Sequence, residues 1–125
     1  MIRVPQSNGY PDVVVTREGD RIVLSCGAHL PGLSLSRREA EHLAAAFRGI
    51  PFSLVLQPGI HMHSRHFETD GGASCALAMY GQAAGNTGDW WVGPETHWPS
   101  RVVEGSRSLI EMAEALEESI HDRTP

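Results

Sequence analysis

Gly59-Ile60-His61-Met62-His63-Ser64-Arg65-His66-Phe67-Glu68 is the stretch on which the fold of this chain turns. It carries three of the seven histidines, and strand-like runs stand on both sides of it. On a regular strand His61, His63, Arg65 and Phe67 share one face, while Ile60, Met62, Ser64 and His66 share the other. In an open sheet roofed by helices, the imidazoles of such a strand lie outside any enclosed chamber. In a closed barrel they would line one.

The flanking sequence predicts the open sheet. Asp12-Val13-Val14-Val15-Thr16 and Arg21-Ile22-Val23-Leu24-Ser25-Cys26 are β-branched runs about Arg17-Glu18-Gly19-Asp20, the pattern of a hairpin. Pro5, Asn8-Gly9 and Pro11 make residues 1–11 an irregular lead-in, and Pro31-Gly32 marks a loop from Gly27 to Leu35. Ser36-Arg37-Arg38-Glu39 is a capping box, and Leu35 with Ala40 can form a hydrophobic staple. Ala40, Leu43, Ala44 and Phe47 recur at helical spacing, which predicts a helix over about 36–48, stopped by Gly49 and Pro51.

Phe52 to Gln57 reads as a third strand and 60–68 as a fourth. After the Thr69-Asp70-Gly71-Gly72 turn comes a fifth, Ala73 to Tyr80. The small side chains of that fifth strand imply that something packs closely over it, most simply a helix. Gly81 to Gly88 is a glycine-bearing loop with no helix after it to cradle a phosphate. Asp89 to Val92 is a short strand or ordered loop, Gly93 to Pro99 is irregular, and Arg101 to Glu104 is an edge strand. A closing helix over about 107–121 begins at a second S-x-x-E, Ser108 to Glu111, and buries Leu109, Met112, Ala113, Leu116 and Ile120. The expected architecture is a single α+β domain over 1–125. A mainly antiparallel sheet of about five or six strands carries both amphipathic helices on one face. No internal repeat is evident.

Composition narrows the function. The ten basic residues are all arginine, which excludes Schiff-base catalysis and any phosphate loop that needs its lysine. A formal net charge of -5 argues against a general affinity for nucleic acid. There is no apolar run near the roughly 20 residues that span a bilayer, and no apolar leader follows Met1. The expectation is a soluble, cytoplasmic protein with no membrane partner. Cys26 and Cys75 then read as small buried hydrophobes rather than a disulfide.

Three groups of residues are candidates for a site. The first is the histidine stretch: His61 and His63 are two apart on a strand and can jointly hold a divalent metal ion. The H-x-H of His61 and His63 followed by Glu68 resembles part of the first cupin motif. That resemblance implies a metal held by His61, His63 and Glu68, with His97 as a fourth ligand, inside a β-barrel. Val55 stands where the motif has its glycine, and Pro94-Glu95-Thr96 where its second half has P-x-G. The alternative for these histidines is a solvated polar face that binds no cofactor.

The second group is Trp90, Trp91 and Trp98 with His97, on a segment too irregular to bury all three indoles. Adjacent strand residues face opposite ways, so one of Trp90 and Trp91 points away from the core, where a large rigid side chain suits a partner or a carbohydrate. The third is the glycine loop from Gly81 to Gly88, read as a plain loop before it is read as a ligand site; nucleophilic catalysis has little support, since no G-x-S-x-G occurs and Cys75 lies on an apolar strand where a thiolate is costly. These observations favour a small non-catalytic interaction or regulatory module, binding a protein partner or itself through Trp90, Trp91, His97 and Trp98. A metal-binding protein or small metal-dependent enzyme at His61, His63 and Glu68, and a small-ligand or carbohydrate site on the tryptophans, are the alternatives.

Overall fold

The computed structural model describes residues 1–56, 60–82, 87–95, 100–106 and 108–121; at 51–56, 60–62, 81–82 and 87–88 it describes the backbone alone. The chain is α+β. Strands β1 (Ile2–Val4), β2 (Val13–Glu18), β3 (Arg21–Ser25) and β4 (Leu33–Leu35) precede helix α1 (Arg37–Leu56). Strands β5 (Ile60–Glu68), β6 (Ser74–Gln82), β7 (Thr87–Pro94) and β8 (Val103–Ser106) precede helix α2 (Leu109–His121). Each set of four forms its own antiparallel sheet in sequential order.

Two four-stranded sheets replace the one sheet of five or six strands expected from sequence. Part of the difference lies in β1 and β4, three residues each, too short to show an alternating pattern inside what read as an irregular lead-in and a loop. The rest lies at Phe52 to Leu56, which continue α1 rather than form a strand. A proline inside a helix removes one backbone hydrogen bond and kinks the rod without having to end it, and a short apolar run reads equally well as strand or buried helix. The order β-β-β-β-α therefore occurs twice, a repetition of elements that residue identities do not display beyond the S-x-x-E at Ser36 and Ser108.

The start of α1 follows its sequence signal. The Glu39 amide donates to Ser36 Oγ at 3.1 Å, and the Ser36 amide donates to Glu39 Oε1 at 2.7 Å. Glu39 Oε2 also accepts from the Asp70 amide at 3.3 Å, which ties the helix start to the β5–β6 turn. At α2 the second S-x-x-E is used differently. Ser108 has a φ of 60, and its hydroxyl donates to the Pro5 carbonyl at 3.0 Å, so it fastens the lead-in segment.

That segment is ordered by its Asn8-Gly9 pair. Their φ values of 58 and 80 and the bond from the Tyr10 amide to the Ser7 carbonyl (3.2 Å) make a tight turn whose two central residues are left-handed. Asn8 Nδ2 then reaches Ser106 Oγ at 2.9 Å, and Gln6 Oε1 accepts from the Ser106 amide at 3.0 Å. With Gly32 N–H donating to the Val102 carbonyl at 2.9 Å, the first half docks along the strand that closes the second sheet.

The buried residues form one cluster. Val13, Val15, Ile22 and Leu24 of the first sheet and Leu77, Met79, Trp90 and Val92 of the second meet Leu43, Phe47, Met112 and Leu116 of the helices. Phe47 meets Trp90 edge-on, ring centroids 5.0 Å apart at 88°. The helices pack against each other, but α1 lies chiefly on β5 and β6 while α2 lies on β1 and β2. Each half's helix thus covers mainly the other half's sheet. Neither described helix is long and apolar enough to cross a membrane.

Candidate functional site

The second sheet has an inner face toward the helices and an outer face away from them. Registered pairing puts Phe67, Cys75 and Pro94 in one inner row and Arg65, Leu77 and Val92 in the next. The outer rows are Ser64, Ala78, Trp91 and Glu104, then His66, Ala76 and Gly93. Ala76 and Ala78 are fully buried although they point outward. The chain comes back along β7, Ser100 N–H bonding to the Pro94 carbonyl at 2.8 Å and Val102 N–H to the Val92 carbonyl at 2.9 Å. The Ser100 carbonyl sits where a Cβ on Gly93 would have to be. Helix α1 lies on the inner face of β6, as the small residues of that strand suggest, and on the outer face the returning segment sits against Gly93.

Along this face a hydroxyl, an imidazole and a carboxylate stand in series. Ser64 Oγ is 3.2 Å from His66 Nε2, and His66 Nδ1 is 2.5 Å from Glu95 Oε2. Glu95 is anchored by its amide bonding to the Ser74 carbonyl at 3.1 Å and by the Ser74 hydroxyl donating to Oε2 at 3.4 Å. Its side chain is 19% exposed, against 52% for His66. The common face of Ser64 and His66 was readable from strand alternation. Glu95 was not, because it arrives from β7 across two strands, and only the register brings it there.

A second polar group lies further along the same face. The Arg101 guanidinium stacks on the Trp91 ring at 4.4 Å and donates to Glu104 Oε2 at 2.9 Å, while His29 Nε2 is 3.2 Å from Glu104 Oε1. Burial alone would raise the Glu104 carboxyl, but Arg101 and His29 outweigh it and hold the group below the usual carboxylate range. Burial and the neighbouring Asp89 push the Tyr10 hydroxyl up. These groups satisfy one another and fasten the first half onto β8.

Of the residues expected to act together, the described ones lie on different faces of the second sheet. Trp90 is fully buried in the core, and Trp91 is on the opposite face as predicted, yet only 8% exposed beneath Arg101. Neither presents an open ring to a partner or a sugar. His97 and Trp98 lie outside the described residues. Of the metal candidates, His63 faces inward and Glu68 outward, five residues apart on one strand, or roughly 16 Å at the rise of a strand. The side chain of His61 is outside the described residues. Among the described residues no cluster of three His, Cys, Asp or Glu side chains is placed to hold a metal ion. The sheet is open, not the barrel that the cupin resemblance implies.

Beside the hydroxyl–imidazole–carboxylate series runs a groove of about 470 Å³ between α1 and β5. His42, Ala45, Ala46 and Gly49 form its helical wall, and Arg65 and His66 stand on its strand side. Among the described residues, strand β5 is at the edge of its sheet, with β6 as its ladder partner. No family model matches the chain, and comparison with curated proteins and with solved structures likewise finds no match.

Proposed function

We propose that this protein is a small interaction module that takes an extended, acidic segment of a protein partner along β5. The observation that supports this most is the edge strand itself. β5 is nine residues long and, among the described residues, its ladder partner is β6 alone; a long edge strand is the kind of element that templates another strand. The groove beside it has Ala45, Ala46 and Gly49 on its helical wall, with the Arg65 guanidinium laid against Gly49 and bonded to its carbonyl at 3.4 Å.

Charge supports the choice of partner. β5 carries His61, His63, Arg65 and His66 against the single acid Glu68, in a chain whose formal net charge is -5. Glu41, also on the groove, is turned to Arg37 at 4.0 Å. The interaction reading made from the tryptophans is thereby moved to a different surface, since Trp90 and Trp91 are occupied inside the molecule.

The test is fluorescence anisotropy with labelled nine-residue peptides that are acidic and β-prone, compared with charge-reversed copies. Saturable binding of the acidic set is expected, weakened at least tenfold by His42→Glu. Peptides with alternate residues N-methylated should lose binding, because they cannot complete a ladder. Equal affinity for both charge sets, or none for either, would refute the reading. A dimer in light scattering that His42→Glu dissociates would assign the edge to a second copy of the chain instead.

A further inference from the structure

The Ser64–His66–Glu95 series has a property that a solvated strand face does not require, namely its order. The carboxylate is on Nδ1 and the hydroxyl on Nε2 of the same ring. A carboxylate on Nδ1 holds the proton there and leaves Nε2 as the acceptor, aimed at the serine oxygen. This is the arrangement in which a serine becomes a nucleophile: a base within hydrogen-bond reach, itself oriented by a third group. A chance Ser–His contact between neighbours on one strand needs only two residues. Here the third comes from a different strand, and Ser74 fixes it through both its carbonyl and its hydroxyl.

From this geometry we infer that Ser64 is an activated nucleophile and that the outer face of the second sheet is an acyl-transfer site for activated esters. This inference goes beyond the peptide-binding reading and does not depend on it. Ser64 and His66 are both exposed, so a small ester reaches the hydroxyl without a conformational change. Ser64 Oγ bonds to the acyl carbon while its proton passes to His66 Nε2. The C–O bond to the leaving group then breaks, and the alkoxide takes that proton. Water attacks the acyl-serine by the same route, its proton going to Nε2 and returning to Ser64 Oγ, with release of a carboxylic acid. Glu95 stays on Nδ1 throughout and steadies the imidazolium.

The experiment uses the full chain without peptide, so its outcome is separate from that of the binding titration. A fluorophosphonate probe is followed by intact mass and peptide mapping, and p-nitrophenyl acetate turnover by release of p-nitrophenol. The expected result is one adduct, at Ser64. Ser64→Ala should abolish it. His66→Gln should slow it by about 10²-fold or more, as for loss of a general base, and Glu95→Gln by at least 10-fold with a changed pH profile. Thermal melts of the variants confirm that they fold. A serine elsewhere labelling as fast as Ser64, or Ser64 labelling at the same rate in His66→Gln and Glu95→Gln, would overturn the inference, as would the absence of any adduct.

Discussion

Cys75 shows how a single residue's setting can be read as a pH dependence. Its sulfur donates to the Gly93 carbonyl at 3.2 Å, and burial pushes the thiol up to about 11. The folded state therefore favours the neutral thiol. A folded value above the unfolded one contributes stability that is complete below the ordinary thiol range and is lost as pH rises toward the folded value. The urea midpoint should accordingly fall between about pH 8.5 and about 11, and Cys75→Ala should flatten that fall. At neutral pH neither buried cysteine should react with a thiol reagent such as dithionitrobenzoate until the protein unfolds. Rapid modification of the native protein at Cys75 would contradict the burial on which this rests. The two thiols were legible in sequence as buried hydrophobes, because a small apolar strand surrounds the one and a β-branched run precedes the other.

Among the elements, the returning chain after β7 is the one that sequence concealed and glycine reveals. Gly93→Ala places a methyl group on the Ser100 carbonyl, which is backbone and cannot swing aside. The expected cost is about 1–3 kcal/mol, the usual penalty for overpacking, with faster hydrogen exchange at Val102. Gly71→Ala is the control: nothing lies near its Cβ position and its φ is not left-handed, so chemical denaturation should find it close to neutral. Starts of elements were more legible than ends. Ser36 and Glu39 announce α1 by a reciprocal hydrogen-bond pattern only four residues wide. Its far end depends on whether Pro51 breaks or merely kinks the rod, and local sequence cannot decide that. The hairpin of β2 and β3 and the extent of β5 were likewise readable, since alternation persists over several residues. For the candidate site the divide is the same: Ser64 and His66 follow from periodicity, whereas Glu95 needs the register of β6 and β7.

At the scale of the molecule, the packing of Phe47 on Trp90 joins α1 to the second sheet within one buried cluster. Truncating either ring to alanine should cost about 3–5 kcal/mol. Urea transitions followed by far-UV dichroism and by tryptophan fluorescence should still coincide, because no part of that cluster belongs to one half alone. Two separated transitions would show that the halves fold independently. The fastening at Glu104 adds an acid-side dependence. A carboxyl held below its ordinary range contributes stability present above that range and lost as pH falls through the lowered value. Glu104→Gln should thus weaken the protein at pH 7, by an amount that shrinks as pH falls below the ordinary carboxylate range. The reciprocal covering of sheets by helices has a last consequence. A chain severed between Leu56 and Ile60 yields two fragments, each with a bare apolar surface that the other's helix is shaped to fill. Co-expressed, they should find each other, as though the native protein were a heterodimer whose subunits happen to share a peptide bond.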